Sequence, residues 1–349
     1  LPHSTKEQPM KIGVIAKADL ANAGYRAIIP ALALRERGHE VVLANLAQTA
    51  KLPLAELLSC DVVQVYRCLD QPSVFSAVDE LRRRAVAITW DDDDDVRLVP
   101  PDSPGSKQVF SGLKVEKTIR RQNAMFAKAD LVTTTSPTLA EMFRSRFGGP
   151  IEVIENYLSP DQYARGRSGH DGIVIGWVAA GEHLADVRKL DLTQMLRNVI
   201  ERDERIRVTT AGVKLDLDPA RYTHVKRVWF RDLPAFVAEF DIGIAPLADH
   251  PMSYARSNIK VKEYAGAGVP WVASARGPYE GLGTKAGGIT ISDEHWEQTL
   301  LDLAGSRLKR MRLRRHAESW AKAQSIVRHV DRWEAAMQKA VARVGERAA

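Results

Sequence analysis

Twelve short apolar runs, most of them followed by a helical pattern, constrain this chain more than any other feature. The first six are "KIGVIA" (11–16), "HEVVLAN" (39–45), "CDVVQVY" (60–66), "AVAITW" (85–90), "DLVTTTS" (130–136) and "IEVIEN" (151–156). The second six are "IVIGWVA" (173–179), "IRVTTAG" (206–212), "VKRVWF" (225–230), "FDIGIAPL" (240–247), "PWVASA" (270–275) and "GGITIS" (287–292). Strands separated by helices imply βαβ units and a parallel sheet. Between the two series lies "LSPDQYARGRSGHDG" (158–172), polar and rich in Gly, Ser, Asp and Arg, which reads as a linker.

A chain of 349 residues is also long for one core. The expectation is therefore an α/β protein of two Rossmann-like, doubly wound domains, spanning 10–160 and 161–316. Ligands of such sheets bind beyond the carboxyl ends of the strands, so the natural site is an interdomain cleft. The stretch 316–344 reads as one helix, with Trp320, Ile326, Val327, Val330, Trp333, Met337 and Val341 in one apolar stripe. It is expected to cross back to the first domain, as a separate segment 317–345.

Composition narrows the partners only a little. Net charge is +6, which suits anionic small molecules, an anionic membrane face or nucleic acid. No nucleic-acid motif or aromatic interleaving of basic residues is present, so no nucleic-acid partner is expected. The two cysteines, Cys60 and Cys68, lack metal-ligand spacing and read as reduced thiols of a cytoplasmic protein. No run of 18 apolar residues exists to span a membrane. The residues before Met10 lack an apolar signal core and read as a loose leader or an added remnant.

The strongest local signal is "FDIGIAPLADHPMSYARSNIKVKEYAGAGVPWVAS" (240–274). A buried strand ends at Pro246, and a polar loop leads to Ser257, a good helix N-cap. The helix "NIKVKEYAGAG" then ends at Gly266 or Gly268. A helix that starts at the carboxyl end of a parallel strand points free N–H groups at its ligand, which favours a phosphate. Arg256 and Lys260 add positive charge there, and Glu263 could accept hydrogen bonds from a ribose. The competing reading is an ordinary βαβ unit with solvated charges.

These residues resemble the donor segment of GT-B-fold glycosyltransferases, retaining members of the family 4-like, group 1 type. The matching pattern is a strand ending in "APL", then Ser257, Lys260, Glu263, Tyr264, Gly268 and Pro270 in a Ser-x-x-Lys-x-x-Glu-Tyr helix and its following turn. "IGWVAAGEHLADVRKL" (175–190) is similar to the family's other donor loop, with Gly176, Trp177, Gly181, His183 and Asp186 in matching positions. The resemblance implies a GT-B fold and transfer of a sugar from a nucleoside-diphosphate sugar to a hydroxyl or amine acceptor, with retention. It implies that Lys260 contacts the diphosphate or donor sugar and that Glu263 holds the ribose. The Gly181 backbone and the 257–260 helix start, with Arg256, Ser257 and Asn258, would cradle phosphates, and the "GPY" segment adds Tyr279 to the donor set. His183 and Lys260 are catalytic candidates. The sugar nucleotide is a co-substrate, and no cofactor and no metal are implied. One departure stands out: many retaining members carry a glutamate eight positions before the ribose-binding one, and here that position is Ala255.

In the first half, Tyr25 and Arg26 would open a helix after a Gly-containing loop, and Arg67 ends the third strand. All three are acceptor-binding candidates by the sheet-edge rule. "WDDDDDV" (90–96) ends the fourth strand. Three readings of it stay open: a Mg²⁺ or Mn²⁺ site, an acceptor-binding or general-base cluster, and a solvated turn. Asp91, Asp92 and Asp93 are taken as catalytic candidates and Asp94 as an acceptor contact, with two of the five aspartates facing the cleft. A phosphohydrolase with an aspartate nucleophile in this run is one alternative function, and a non-catalytic sugar or nucleotide binder is another.

Finally, "SRLKRMRLRRH" (306–316) carries six Lys or Arg between Arg307 and Arg315. It is either a solvated helix face or a peripheral contact with anionic lipid, which would suit a lipid-linked acceptor and a place on the inner membrane face.

Overall fold

The computed structural model describes residues 8–17, 21–49, 51–99, 115–163 and 169–348. Most of the leader, residues 100–114 and part of the 158–172 linker lie outside the described residues. The chain divides into two compact units. One comprises residues 1–93, 116–154 and 329–349, and the other residues 94–115 and 155–328.

The first unit holds β1 (Lys11–Ala16), β2 (Glu40–Asn45), β3 (Val62–Tyr66), β4 (Ala87–Asp91), β5 (Leu131–Thr134) and β6 (Ile151–Val153). They form one sheet in the order β2-β1-β3-β4-β5-β6, with every neighbouring pair parallel. β1, β3, β4 and β5 are almost wholly buried. Helix Ile29–Glu36 follows a π-helical turn at Gly24–Ile28. Pro30 lacks the N–H that an α-turn needs and crowds the carbonyl four residues back, so a widened turn before it relieves both problems.

The second unit repeats the plan with β7 (Ile173–Ala179), β8 (Ile206–Gly212), β9 (Tyr222–Val225), β10 (Ile242–Ala245), β11 (Trp271–Ser274) and β12 (Gly288–Ile291). Their order is β12-β11-β10-β7-β8-β9, again all parallel. Numbered within the unit, that is the 3-2-1-4-5-6 arrangement of nucleotide-binding sheets, whose strand order reverses between β7 and β10. Its core includes Ile175, Trp177, Leu196, Ile244, Val272 and Leu300.

Two expectations about elements need correction. The run "VKRVWF" (225–230) is not a strand: β9 ends at Val225, and Trp229 is exposed beside the Arg227 guanidinium, 5.2 Å away. The third strand of the unit is instead the more polar Tyr222–Val225, which pairs with β8 at the edge of the sheet among the described residues. The stretch 316–344 is also two helices, Arg307–Ala323 and Val330–Ala348, rather than one. The break has a tertiary cause. Leu158 N–H donates to the Gln324 carbonyl at 2.9 Å, and Ile326 N–H donates to the Leu158 carbonyl at 2.8 Å. That bridge takes the backbone out of the helical ladder. Val327, counted in the apolar stripe, is exposed.

Helix Val330–Ala348 belongs to the first unit, where it packs on β3, β4, β5 and helix Ile29–Glu36. Trp333 and Met337 are buried on that face. Glu334 beside them takes the Arg37 guanidinium at 2.7 Å and His39 Nε2 at 3.1 Å.

Candidate functional site

In the second unit, two loops leave the sheet at its switch point. One follows β7 and runs through Gly181 and His183 into helix Leu184–Lys189. The other follows β10 and runs through Arg256 into helix Ile259–Gly266. They are tied together twice. The Lys260 ammonium donates to the Val178 carbonyl at the end of β7. The Ala248 N–H donates to Asp186 Oδ1 at 2.8 Å. Tyr264 anchors the second helix: its ring lies where any side chain at Gly243 would stand, and its hydroxyl donates to the Ile244 carbonyl at 2.7 Å. Only glycine on β10 allows so close an approach.

His183 is buried and sits edge-on to Trp177 at 5.6 Å. Its Nδ1 lies 2.7 Å from Asp186 Oδ2. Burial, with the positive field of Arg256, pushes the imidazole down to about 4 despite Asp186. The ring is therefore neutral near pH 7. Nδ1–H donates to Asp186, and Nε2 is left as an acceptor. Burial beside Arg256 also draws the Lys260 ammonium below its ordinary value, against the opposing pull of Glu263. Glu263 is buried, and Glu182 lies 3.8 Å from Arg256. Gly181 is exposed, and a side chain there would meet nothing within 4 Å.

So the structure brings Gly181, His183, Arg256, Lys260 and Glu263 into one region of the second sheet's carboxyl edge. Tyr279 joins them as a buried ring, and burial raises its phenol above the ordinary range. Ser257 is not the helix cap expected of it. Asn258 holds that position without a side-chain cap bond, while Ser257 Oγ accepts from Asn156 Nδ2 at 3.1 Å. The sequence reading passed over two charged groups. Glu182 faces Arg256. Lys262 is fully buried, with its ammonium 2.7 Å from Glu155 Oε2 and 2.9 Å from the Asn156 carbonyl, over the Tyr157 ring. Helical geometry could have separated the two lysines. Two positions apart means about 200° of rotation, so Lys260 and Lys262 face opposite sides.

The first unit treats its charges differently. Arg26 and Asp91 are fully buried against each other, at 3.0 Å from Nε and 2.6 Å from Nη2. Thr133 Oγ1 also donates to Asp91, and Arg26 reaches the Ile154 carbonyl and lies 4.7 Å over the Trp333 ring. Arg26 is therefore not an acceptor contact, nor Asp91 a catalytic group, because each is spent on the other with no exposed surface. Tyr25 beside them is buried as well.

The aspartate run is not a solvated turn. Alternate residues of an extended chain point to opposite sides, and each finds a partner there. Asp92 is buried, accepting from Gln122 Nε2 at 2.7 Å, with Arg67 Nε at 3.7 Å. Asp93 accepts from the Tyr66 hydroxyl at 2.9 Å and from Arg67 Nη1 at 3.1 Å. Asp95 binds Arg97 in its own turn at 2.6 Å. Asp94 is half-buried. Asp91 and Asp92 are turned inward and already bonded, which removes both as catalytic candidates. Among the described residues no group of three or more His, Cys, Asp or Glu side chains is arranged to hold a metal. Arg67 keeps a little exposed surface. It and Cys68 have φ of +52° and +55°, a left-handed conformation uncommon outside glycine. Cys60 and Cys68 are buried free thiols, pushed by burial up to about 11 and about 12.

No protein-family model and no curated protein matches the chain. Solved structures do. An alpha-glucosyltransferase in complex with UDP-glucose and DNA containing an abasic site is similar at a TM-score of 0.65 and 11% identity, over 91% of this chain and 96% of that one. A sucrose-phosphate synthase from Thermosynechococcus elongatus is similar at 0.62 and 13% identity, over 95% of this chain and 97% of that one. A protein from Listeria monocytogenes described as a UDP-N-acetylglucosamine 2-epimerase is similar at 0.54 and 15% identity, over 95% of this chain and 96% of that one. Two parallel six-stranded sheets, wound in this order and shared with these structures over nearly their whole length, give the chain the GT-B fold.

Proposed function

We propose that the chain is a glycosyltransferase that moves a sugar from a nucleoside-diphosphate sugar to a hydroxyl or amine acceptor, with the nucleotide held by the second unit. One observation carries this reading. The loops after β7 and β10 meet at the switch point and bring Gly181, His183, Arg256, Lys260 and Glu263 together there. Nucleotides bind sheets of this kind at that point. Similarity to an alpha-glucosyltransferase holding UDP-glucose supports it.

Lys260 and Arg256 would face the diphosphate, together with the first N–H groups of helix Ile259–Gly266. Glu263 would accept from the ribose hydroxyls. The neutral His183 would accept a hydrogen bond from the donor sugar through Nε2. In the transfer, the bond between the anomeric carbon and the phosphate oxygen breaks, and the acceptor atom bonds to that carbon and gives up its proton. Negative charge grows on the leaving diphosphate, so fixed cations beside it lower the barrier. Retention, a metal-free reaction and a small-molecule, glycan or lipid-linked acceptor complete the proposal.

The test is nucleoside-diphosphate release from a panel of sugar nucleotides, with and without acceptor. Acceptor-dependent release is expected, falling about 10²–10³-fold in Lys260→Ala with the fold intact, as for loss of one transition-state donor. The fold is shared with the Listeria protein. Conversion of the sugar nucleotide with no nucleoside diphosphate released would replace transfer with rearrangement of the donor.

A further inference from the structure

The helix Arg307–Ala323 breaks a local electrostatic rule. A helix N-terminus favours acidic side chains, since its free N–H groups carry partial positive charge. This helix has no acidic residue in its first turn and opens instead with Arg307, Lys309 and Arg310. Its first nine residues place like charges three and four positions apart, as in Arg307 with Arg310 and Arg310 with Arg314, which costs further stability. Part of this charge is used internally. Arg310 donates to the Leu303 and Ala304 carbonyls at 2.6 and 2.7 Å, and Arg314 donates to Glu318 at 3.1 Å. Arg307, Arg312 and Arg315 are exposed.

The same turns expose apolar side chains. Leu308 is 78% exposed and Met311 is 42% exposed. With 100° per residue, Leu308, Met311, Arg312 and Arg315 share the outward stripe, opposite the buried Leu313 and Ala317. Beside that stripe runs a groove of about 440 Å³, lined by Arg307, Arg310, Arg314 and Arg315, with Met311 in its wall. Asp241 and Glu318 are its acidic members, and Asp241 already accepts from the Val174 N–H at 2.9 Å. An exposed leucine and methionine ringed by guanidiniums suit a surface that is anionic above and apolar below.

We propose that this helix docks the second unit on an anionic lipid bilayer, with Leu308 and Met311 entering the acyl boundary and a phospholipid headgroup in the arginine-lined groove. Local conflict of this kind marks function, and a negative surface resolves it. The proposal does not rest on the nucleotide site, which uses other residues.

Flotation with vesicles of phosphatidylcholine alone and of phosphatidylcholine with phosphatidylglycerol tests it. Binding is expected only with the anionic vesicles and to weaken at high salt. Arg312→Ala and Arg315→Ala should each lower it by about fivefold, the size of one basic residue at such a surface. Leu308→Ser should lower it at constant charge, while thermal unfolding stays unchanged in all three variants. Equal binding to both vesicle types, or no response to Leu308→Ser, overturns the proposal. So does capture of single-stranded RNA or DNA in place of the vesicles.

Discussion

Two sheet edges in this molecule carry clustered charge, and they handle it in opposite ways. At the first sheet, the aspartate run is spent inside the unit: Asp91 on Arg26, Asp92 on Gln122, and Asp93 on Tyr66 and Arg67. At the second, Lys260 has a backbone carbonyl as its hydrogen-bond partner among the described residues, and Gly181 beside that loop is open. The conspicuous charge run is thus architecture, while the groups proposed to hold the nucleotide lie along the quieter loops. Charge density in a sequence says little about availability. What decides it is whether the fold supplies a partner, and a buried carboxylate without one would be costly.

The comparison predicts effects on stability at the first edge and on binding at the second. The largest concerns the buried pair. Arg26→Ala leaves the buried Asp91 carboxyl without its counter-charge, and should destabilise the first unit by about 3–5 kcal/mol in urea unfolding. A loss below about 1 kcal/mol would mean that water reaches Asp91, and the edge would then be open after all.

The next concerns acid. His183 titrates at about 4 when folded. Unfolded, it titrates near 6.5, so below that pH the unfolded chain binds the extra proton. Stability of the second unit is then complete above about pH 6.5 and falls as pH drops toward 4, by an eventual ~3 kcal/mol. The carboxyl of Asp186 is held below the usual range by His183 and the Ala248 N–H despite its burial, so its share is lost only at still lower pH. Urea unfolding across this range, with His183→Gln as the comparison, should show the loss in the parent and a shallower one in the variant. The smallest effect is at Tyr66→Phe. Asp93 keeps Arg67 there, so about 0.5–1.5 kcal/mol is expected.

Much of the fold was legible because parallel strands covered on both faces read as apolar runs. β1, β4, β7 and β11 are of that kind. The edge strand Tyr222–Val225 was not, because one neighbour and partial exposure leave it little apolar signature. The break after Ala323 depends on Leu158, far away in the chain, and no periodicity carries that information. The candidate site divides the same way. Arg256 and His183 lie on loops, and Lys260 in the helix turn that follows one, whose place at the sheet edge follows from strand order. Arg26 and Asp91 lie at equivalent places but pair across 65 positions, so burial cancelled the edge rule for them.

The central claim is that the second unit holds a nucleoside diphosphate through Lys260. Thermal unfolding of the parent and of Lys260→Ala with UDP, GDP, TDP and ADP tests it most directly. One nucleotide should raise the parent's midpoint, since a ligand at 100 times its Kd adds about 2.7 kcal/mol. The shift should largely vanish in Lys260→Ala, whose own midpoint without nucleotide should stay close to the parent's. A parent that none of the four stabilises, or a variant that shifts as much as the parent, would contradict the account.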